Sequence, residues 1–336
     1  MKKIRLLLYF LIFFFTTKVG SAQDPEFSQF YAAPVYLNPA YAGTTFNPKI
    51  HLNFRDQWPA LAHAYVSYAV SYDQYIEALH GGIGVVLLGD RAGGGIYQSI
   101  QAAAIYSYQL NISDKFAIKA GFQGTFIQKR LDLTKVFFYD QIDPIGGFYS
   151  ASNILNPSGE VLPADPTVNL FDVSTGILAY SEHIFGGLAV KHLTQPEENF
   201  IEGTGSQLPL RFTLHGGAVL NFGGKNRGNA TFSPNFMYTQ QASFRQLNVG
   251  SYLKKEFIFG GAWFRYNISN ADAVILLIGV QEGVFKLGYS YDLTLSSLGS
   301  NTGGSHEVSI TLDFDELPDA GGGRKSNEYL KCPKIF

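Results

Sequence analysis

The chain has 336 residues, a formal net charge of −2 and 15% charged residues, well below the roughly 25% of soluble domains. No basic excess marks a nucleic-acid surface, and the single cysteine, Cys332, excludes an internal disulfide. Aromatic residues reach 15% and there are 36 Gly, a composition that suits a barrel with aromatic girdles and tight turns, and equally a glycine-rich extracellular sandwich.

Residues 1–22 read as a secretory signal peptide. Lys2, Lys3 and Arg5 precede the apolar run Leu6 to Phe15, and Gly20, Ser21 and Ala22 supply the small residues of a cleavage site between Ala22 and Gln23. The run is too short for a spanning helix, which needs roughly 20 residues. No cysteine lies at the cleavage site, which argues against a lipoprotein, and no later run is long enough for a transmembrane helix. The mature chain is therefore expected to be secreted, periplasmic or an outer-membrane barrel. Residues 23–48 hold Pro25, Pro34, Pro39 and Pro48 and read as an irregular periplasmic lead-in with a short helix near Phe27 to Ala32.

From Ile50 onward the pattern becomes period two. Ile50, Leu52, Phe54 and Trp58 alternate with His51, Asn53, Arg55 and Gln57; Val66, Tyr68, Val70 and Tyr72 alternate with Ser67, Ala69 and Ser71. Further segments run Gly81 to Leu88, Tyr97 to Leu110, Phe116 to Lys129, Asn169 to Ser181, Ile184 to Leu193 and Leu210 to Phe222. They continue through Ala230 to Thr239, Phe244 to Leu253, Phe257 to Tyr266, Val274 to Val280, Val284 to Tyr291 and Ser305 to Phe314. The last segment is the cleanest: His306, Val308, Ile310, Leu312 and Phe314 share one side, and Glu307, Ser309, Thr311 and Asp313 the other. One apolar and one charged face suit a wall between lipid and water, or a half-buried strand of a soluble sandwich.

Loop lengths separate the two. Links after even-numbered segments are short, whereas the longest, Arg130 to Val168, Thr194 to Pro209 and Asp292 to Gly304, follow odd ones. Bacterial barrels put short turns on the periplasmic side and long loops outside. The expectation is an all-β fold: a transmembrane antiparallel β-barrel of about fourteen strands over residues 49–314, both termini periplasmic. Residues 315–336 form a tail with a hinge at Gly321 to Gly323 and a hydrophobic, basic end.

Several phrases resemble one family. They are Asp24-Pro-Glu-Phe-Ser-Gln-Phe30, Leu37-Asn-Pro-Ala-Tyr-Ala-Gly43, Arg55-Asp-Gln-Trp-Pro59, Asp90-Arg-Ala-Gly-Gly-Gly95 and His192-Leu-Thr-Gln-Pro196. Leu214-His-Gly216, Gly288-Tyr-Ser-Tyr-Asp-Leu-Thr294, Gly303-Gly-Ser-His-Glu307 and the Cys332-Pro-Lys ending complete the set. Together they are similar to the PorP/SprF family of Bacteroidetes outer-membrane proteins. The residues that carry the resemblance are Asp24, Pro25, Phe27, Asn38, Pro39, Gly43, Arg55, Trp58, Asp90, Arg91, Cys332 and Pro333. The resemblance implies a FadL-like barrel of fourteen strands and a tie to the type IX secretion system, including its gliding-motility cargo. It implies support for the secretion or surface retention of a large exported partner with a C-terminal sorting domain. Periplasmic secretion-machinery proteins and outer-membrane lipid are the other expected partners.

No catalytic arrangement, cofactor motif or metal spacing stands out. His183 and His192 lie nine apart at opposite ends of one expected strand, and Asp90 to Gly95 links two strands rather than a strand to a helix, so it is no phosphate cradle. The alternative function is a FadL-like channel or transporter for a small, hydrophobic solute. That requires an open bore, which Phe30, Tyr31, Tyr36 and Tyr41 of the lead-in are placed to plug.

Overall fold

The two rows of each strand separate across a curved wall, with the polar row inside. β1 (Lys49–Gln57) buries His51, Asn53 and Arg55 and exposes Leu52 and Phe54. β2 (Tyr65–Ile76) buries Ser67, Ala69 and Ser71 and exposes Tyr68, Val70 and Tyr72. A soluble sandwich would bury the apolar row; exposing it all round demands lipid outside.

A computed structural model describes residues 24–61, 65–143, 145–149, 155–160, 166–200, 206–222, 230–267, 270–295, 302–316 and 332–333. The strands continue as β3 (Gly81–Ala92), β4 (Tyr97–Ser113), β5 (Phe116–Leu131), β6 (Thr167–Ser181), β7 (Ile184–Lys191) and β8 (Arg211–Ala218). Then come β9 (Ala230–Gln241), β10 (Phe244–Lys255), β11 (Ile258–Asn267), β12 (Asn270–Glu282), β13 (Phe285–Thr294) and β14 (Ser305–Asp313). Leu220–Phe222 continues the pairing of β8 with β9 past Val219. Each strand pairs antiparallel with its sequence neighbours. The pairing of β14 with β1, in the register Arg55 opposite Glu307, closes the ring. All fourteen expected segments are strands, and the fold is a closed membrane barrel.

The links sort by end. At the turn end, residues 77–80, 114–115, 182–183, 256–257 and 283–284 make tight connections. The long links 132–166, 192–210 and 295–304 join strands at the opposite, loop end, although 242–243 there is equally tight. Within 132–166, the turns Leu133–Lys135 and Tyr139–Gln141 and the bridges Asp143–Gly147 and Tyr149–Leu155 impose local order.

The lead-in lies inside the barrel as a plug. The short helix expected near Phe27 to Ala32 is a single 3₁₀ turn over Phe30–Ala32, followed by two further one-turn helices, Pro34–Leu37 and Pro39–Tyr41. Pro34 and Pro39 each start a turn, since proline fits a first helical position and ends whatever precedes it. The segment threads the lumen lengthwise. Asp24 contacts Arg211 and His192 at the loop end, and Asn47 reaches Asp315 at the turn end. Asp24 and Asp315 thus lie toward opposite ends of the barrel, and the termini, expected to share the periplasmic side, lie outside the described residues.

The core is therefore the contact between plug and wall. Phe30, Tyr31, Leu37 and Tyr41 pack with Tyr180, Phe185, Tyr252, Trp263 and Ile275 from the wall. Phe30 meets Trp263 edge-on at 4.6 Å between ring centroids.

Candidate functional site

Four seats hold the plug. In the first, Glu307 of β14 accepts from the backbone N–H of Ser28 (2.6 Å) and of Gln29 (3.0 Å). The Ser28 hydroxyl donates to Asp292 of β13 at 2.6 Å, and the Gln29 amide donates to Ser290 Oγ at 3.2 Å. Arg55 of β1 pairs with Asp292 (2.9 Å) and Glu307 (3.4 Å), and Arg265 of β11 pairs with Asp292 (3.0 Å). Two guanidinium groups facing two carboxylates leave no net charge, which offsets the several kcal/mol it costs to desolvate each ion.

The second seat lies at the loop end. His192 places Nε2 2.7 Å from Asp24 and Nδ1 3.0 Å from Asp172, while Arg211 reaches Glu26 at 2.9 Å. Burial alone would raise the Asp24 carboxyl, but His192, Arg211 and Lys191 outweigh it and hold the group well below the carboxylate range. Burial alone would lower His192; the carboxylates of Asp24 and Asp172 outweigh it and raise the imidazole above its ordinary value. Lys191 lies 3.6 Å over the Tyr36 ring, a cation–π contact that adds to the seat.

In the third seat, the Asn38 amide meets Ile177 O at 3.1 Å and His215 Nε2 at 3.1 Å, while Tyr41 stacks on the His215 ring at 5.4 Å. The wall opens for Pro39 and Ala40 at Gly121, where a Cβ would stand 2.3 Å from Ala40 N. The fourth seat lies toward the turn end. Gly43, in the left-handed region at φ +60°, donates its N–H to Asp73 at 2.8 Å, and Lys119 Nζ donates to Gly43 O at 2.7 Å. Cys332 is buried in the same core, and with Pro333 it lines a small cleft of about 80 Å³ near Tyr31, Lys49 and His51. These two residues of the tail thus pack on the chain's own barrel. Burial pushes the Cys332 thiol up to about 12, against the opposing pull of Lys49 and Lys119.

Above the plug at the loop end lies a vestibule of about 510 Å³. Asp24, Pro25 and Glu26 form its floor, and Trp58, Tyr65, Tyr97 and Phe244 line it. Trp58 sits at φ +61°, its N–H on Gly304 O at 2.8 Å, and meets Tyr65 edge-on.

The residues singled out in the sequence fall into three places. Asp24, Pro25, Phe27, Asn38, Pro39 and Gly43 belong to the plug, and Arg55 and Cys332 bind or pack against it. Trp58 and Asp90 line the vestibule, whereas Arg91 points to the exposed side beside Gly95. Ala22 and Gln23 lie outside the described residues. Asp172, Arg211, His215, Arg265, Asp292 and Glu307 were not singled out as site residues. Their signal was present as polar residues in the inward row of a strand, where a water-filled lumen accounts for them equally well. Among the described residues, no three metal-binding side chains are grouped.

The family model described as type IX secretion system membrane protein PorP/SprF matches residues 19–312. No curated protein matches the chain. Among solved structures, the TodX deltaS2S3 mutant monoaromatic hydrocarbon channel is similar at 10% identity and a TM-score of 0.44, over 83% of this chain and 92% of that one. CdiB from Acinetobacter baumannii is similar at 10% identity and a TM-score of 0.44, over 79% of this chain and 60% of that one. A mutant of the Rh. blastica porin is similar at 8% identity and a TM-score of 0.33, over 79% of this chain and 99% of that one. The family match spans most of the sequence, and the chain belongs to the PorP/SprF family of type IX secretion system membrane proteins.

Proposed function

We propose that this barrel acts in the outer membrane by binding, supporting the secretion or surface retention of one large exported partner with a C-terminal sorting domain. The observation that supports binding over transport is the seated plug: residues 24–48 run the length of the lumen and engage the wall at four levels. In this reading residues 1–22 are removed as a signal peptide, the turn end faces the periplasm and the long loops face outward. The sorting of link lengths supports that orientation. The vestibule and the 132–166 loop then meet the exported protein. Tyr139 and Ile145 in that loop are 91% and 99% exposed, and large side chains of this kind make interface anchors. The turn end then faces the periplasmic machinery.

The test is a mild-detergent pulldown of the tagged protein from native outer membranes, with mass spectrometry, beside the surface proteome of a deletion strain. One large exported protein recovered in near-stoichiometric amount, and missing from the surface of the deletion strain, is the expected result. An unchanged surface proteome, with large steady conductance of the purified barrel in a planar bilayer, would replace this reading with a channel.

A further inference from the structure

The vestibule has polar groups left over after its own ion pairs are counted. Its three cations are engaged: Arg55 and Arg265 by Asp292 beneath them, and Lys129 by Glu198. Asp24 and Glu26 on the floor are engaged by His192 and Arg211. Two carboxylates on the walls are not neutralised in this way. Asp90 of β3 accepts from the Ser67 hydroxyl, and Asp272 of β12 has Arg265 only at 3.9 Å. Asp272 falls at a register shift between β11 and β12, a bulge of the kind that re-aims a side chain.

The second observation is independent of these charges. Arg55, a lining residue only 3% exposed, leaves its Nε without a hydrogen-bond partner among the described residues. Asn267, another lining residue, leaves Oδ1 as an acceptor without a partner among the described residues. Buried polar groups are normally paired, so a donor and an acceptor left open in one cavity call for a ligand that carries both. A peptide bond does.

We propose that the vestibule is a receptor for an extended polypeptide segment bearing lysine or arginine, entering from the loop end and stopping on the plug. Asp90 and Asp272 take the cationic side chains, Arg55 Nε and Asn267 Oδ1 take a backbone carbonyl and N–H, and the aromatic lining covers the aliphatic stems. The floor of Asp24 to Glu26 closes the cavity below, so the segment is a chain end or a loop tip rather than a strand in transit. This rests on the binding role proposed above and names the chemistry of the partner's contact.

The test uses the full-length barrel in detergent and two fluorescein-labelled hexapeptides, one alternating Lys with Ser and one alternating Glu with Ser, followed by anisotropy. The expected result is saturable binding of the basic peptide only, weakened at least tenfold by the double change Asp90→Asn and Asp272→Asn and by added salt. Asp114→Asn, at an exposed turn on the opposite end, leaves binding unchanged. Heat-modifiable gel mobility verifies that each variant is a folded barrel. Equal binding of both peptides, no binding of either, or full binding by the double variant would overturn the inference. The surface proteome of a strain carrying the double variant separates this inference from the role it rests on. Loss of the peptide without loss of export leaves a cation site and removes the exported partner as its occupant. Export that needs the barrel, with no peptide bound, removes the vestibule and leaves the role.

Discussion

The backbone N–H of Ser28 lies 2.6 Å from Oε2 of Glu307, although 279 positions separate the two residues in sequence. The contact joins the plug to the strand that closes the barrel. Glu307 is fully buried, and beside Ser28 and Gln29 it also faces Arg55. Replacing it with Ala leaves Arg55 short of a partner and two backbone N–H groups unpaired inside the wall. Breaking a buried pair in this way costs about 3–5 kcal/mol. The expected outcome for Glu307→Ala is a barrel that still assembles, with a lowered thermal midpoint and with current steps in planar bilayers that the parent lacks. A variant as stable and as silent as the parent would remove the first seat from this account.

Gly121 tests the plug from the other side. Its position on β5 faces Pro39 and Ala40 so closely that even a methyl group meets the backbone. Gly121→Val therefore blocks the third seat while leaving the outward, lipid-facing row untouched. Limited proteolysis of detergent-solubilised protein should cut the lead-in of the variant at least tenfold faster than that of the parent, with the barrel fragment intact. Equal rates would mean that the turn at Pro39–Tyr41 does not depend on this approach.

Much of the wall was legible in the sequence and little of the seat. Leu52, Phe54, Val70 and Val308 announce their strands because the outward row needs only to be apolar, and period two reads that directly. Glu307 was also visible, on the polar row of the last segment, but polarity alone does not distinguish a water-filled lumen from a packed one. Its partners, Ser28 and Gln29, come from an irregular stretch rich in proline, whose path is set by contacts with distant strands rather than by local periodicity. The same holds for Asp24 with His192 and Asn38 with His215: each pair joins two quoted phrases that only the closed ring brings together. The place of Cys332 was hidden for a related reason. Cys332 follows a Gly-rich hinge, and nothing nearby in sequence indicates that it returns to the barrel's own core.

The Asp24–His192 contact makes plug seating depend on pH in a definite direction. Asp24 is held below its ordinary value, so its contribution is complete above about pH 4 and is lost only as pH falls through the lowered value. His192 is held above its ordinary value, so its contribution is complete below about pH 6.5 and is lost as pH rises through the raised value. The clasp is strongest between these limits and weakens first on the alkaline side. Thermal midpoints of the parent should fall on moving from mildly acidic to alkaline buffer, and His192→Gln should flatten that limb, at a cost of about 1–3 kcal/mol in acidic buffer. A parent curve that is flat across this range would show that His192 is not seated as an imidazolium.

Cys332 reports on the tail without any change to the chain. Burial lifts its thiol to about 12, so at pH 8 the reactive thiolate is scarce, and its place beside Tyr31 and Lys49 also blocks access. Maleimide should label the folded barrel at pH 8 at least a hundredfold more slowly than the same protein in denaturant, where an ordinary thiol titrates near 8.5. Because the chain holds a single cysteine, the labelled fraction reads out that one position. Disrupting the fourth seat with Lys119→Met should raise the rate in the folded barrel, since Lys119 holds Gly43 against the wall next to the cleft that Cys332 lines. Rapid labelling of the untouched barrel would place Cys332 in solvent and free the tail for a partner outside.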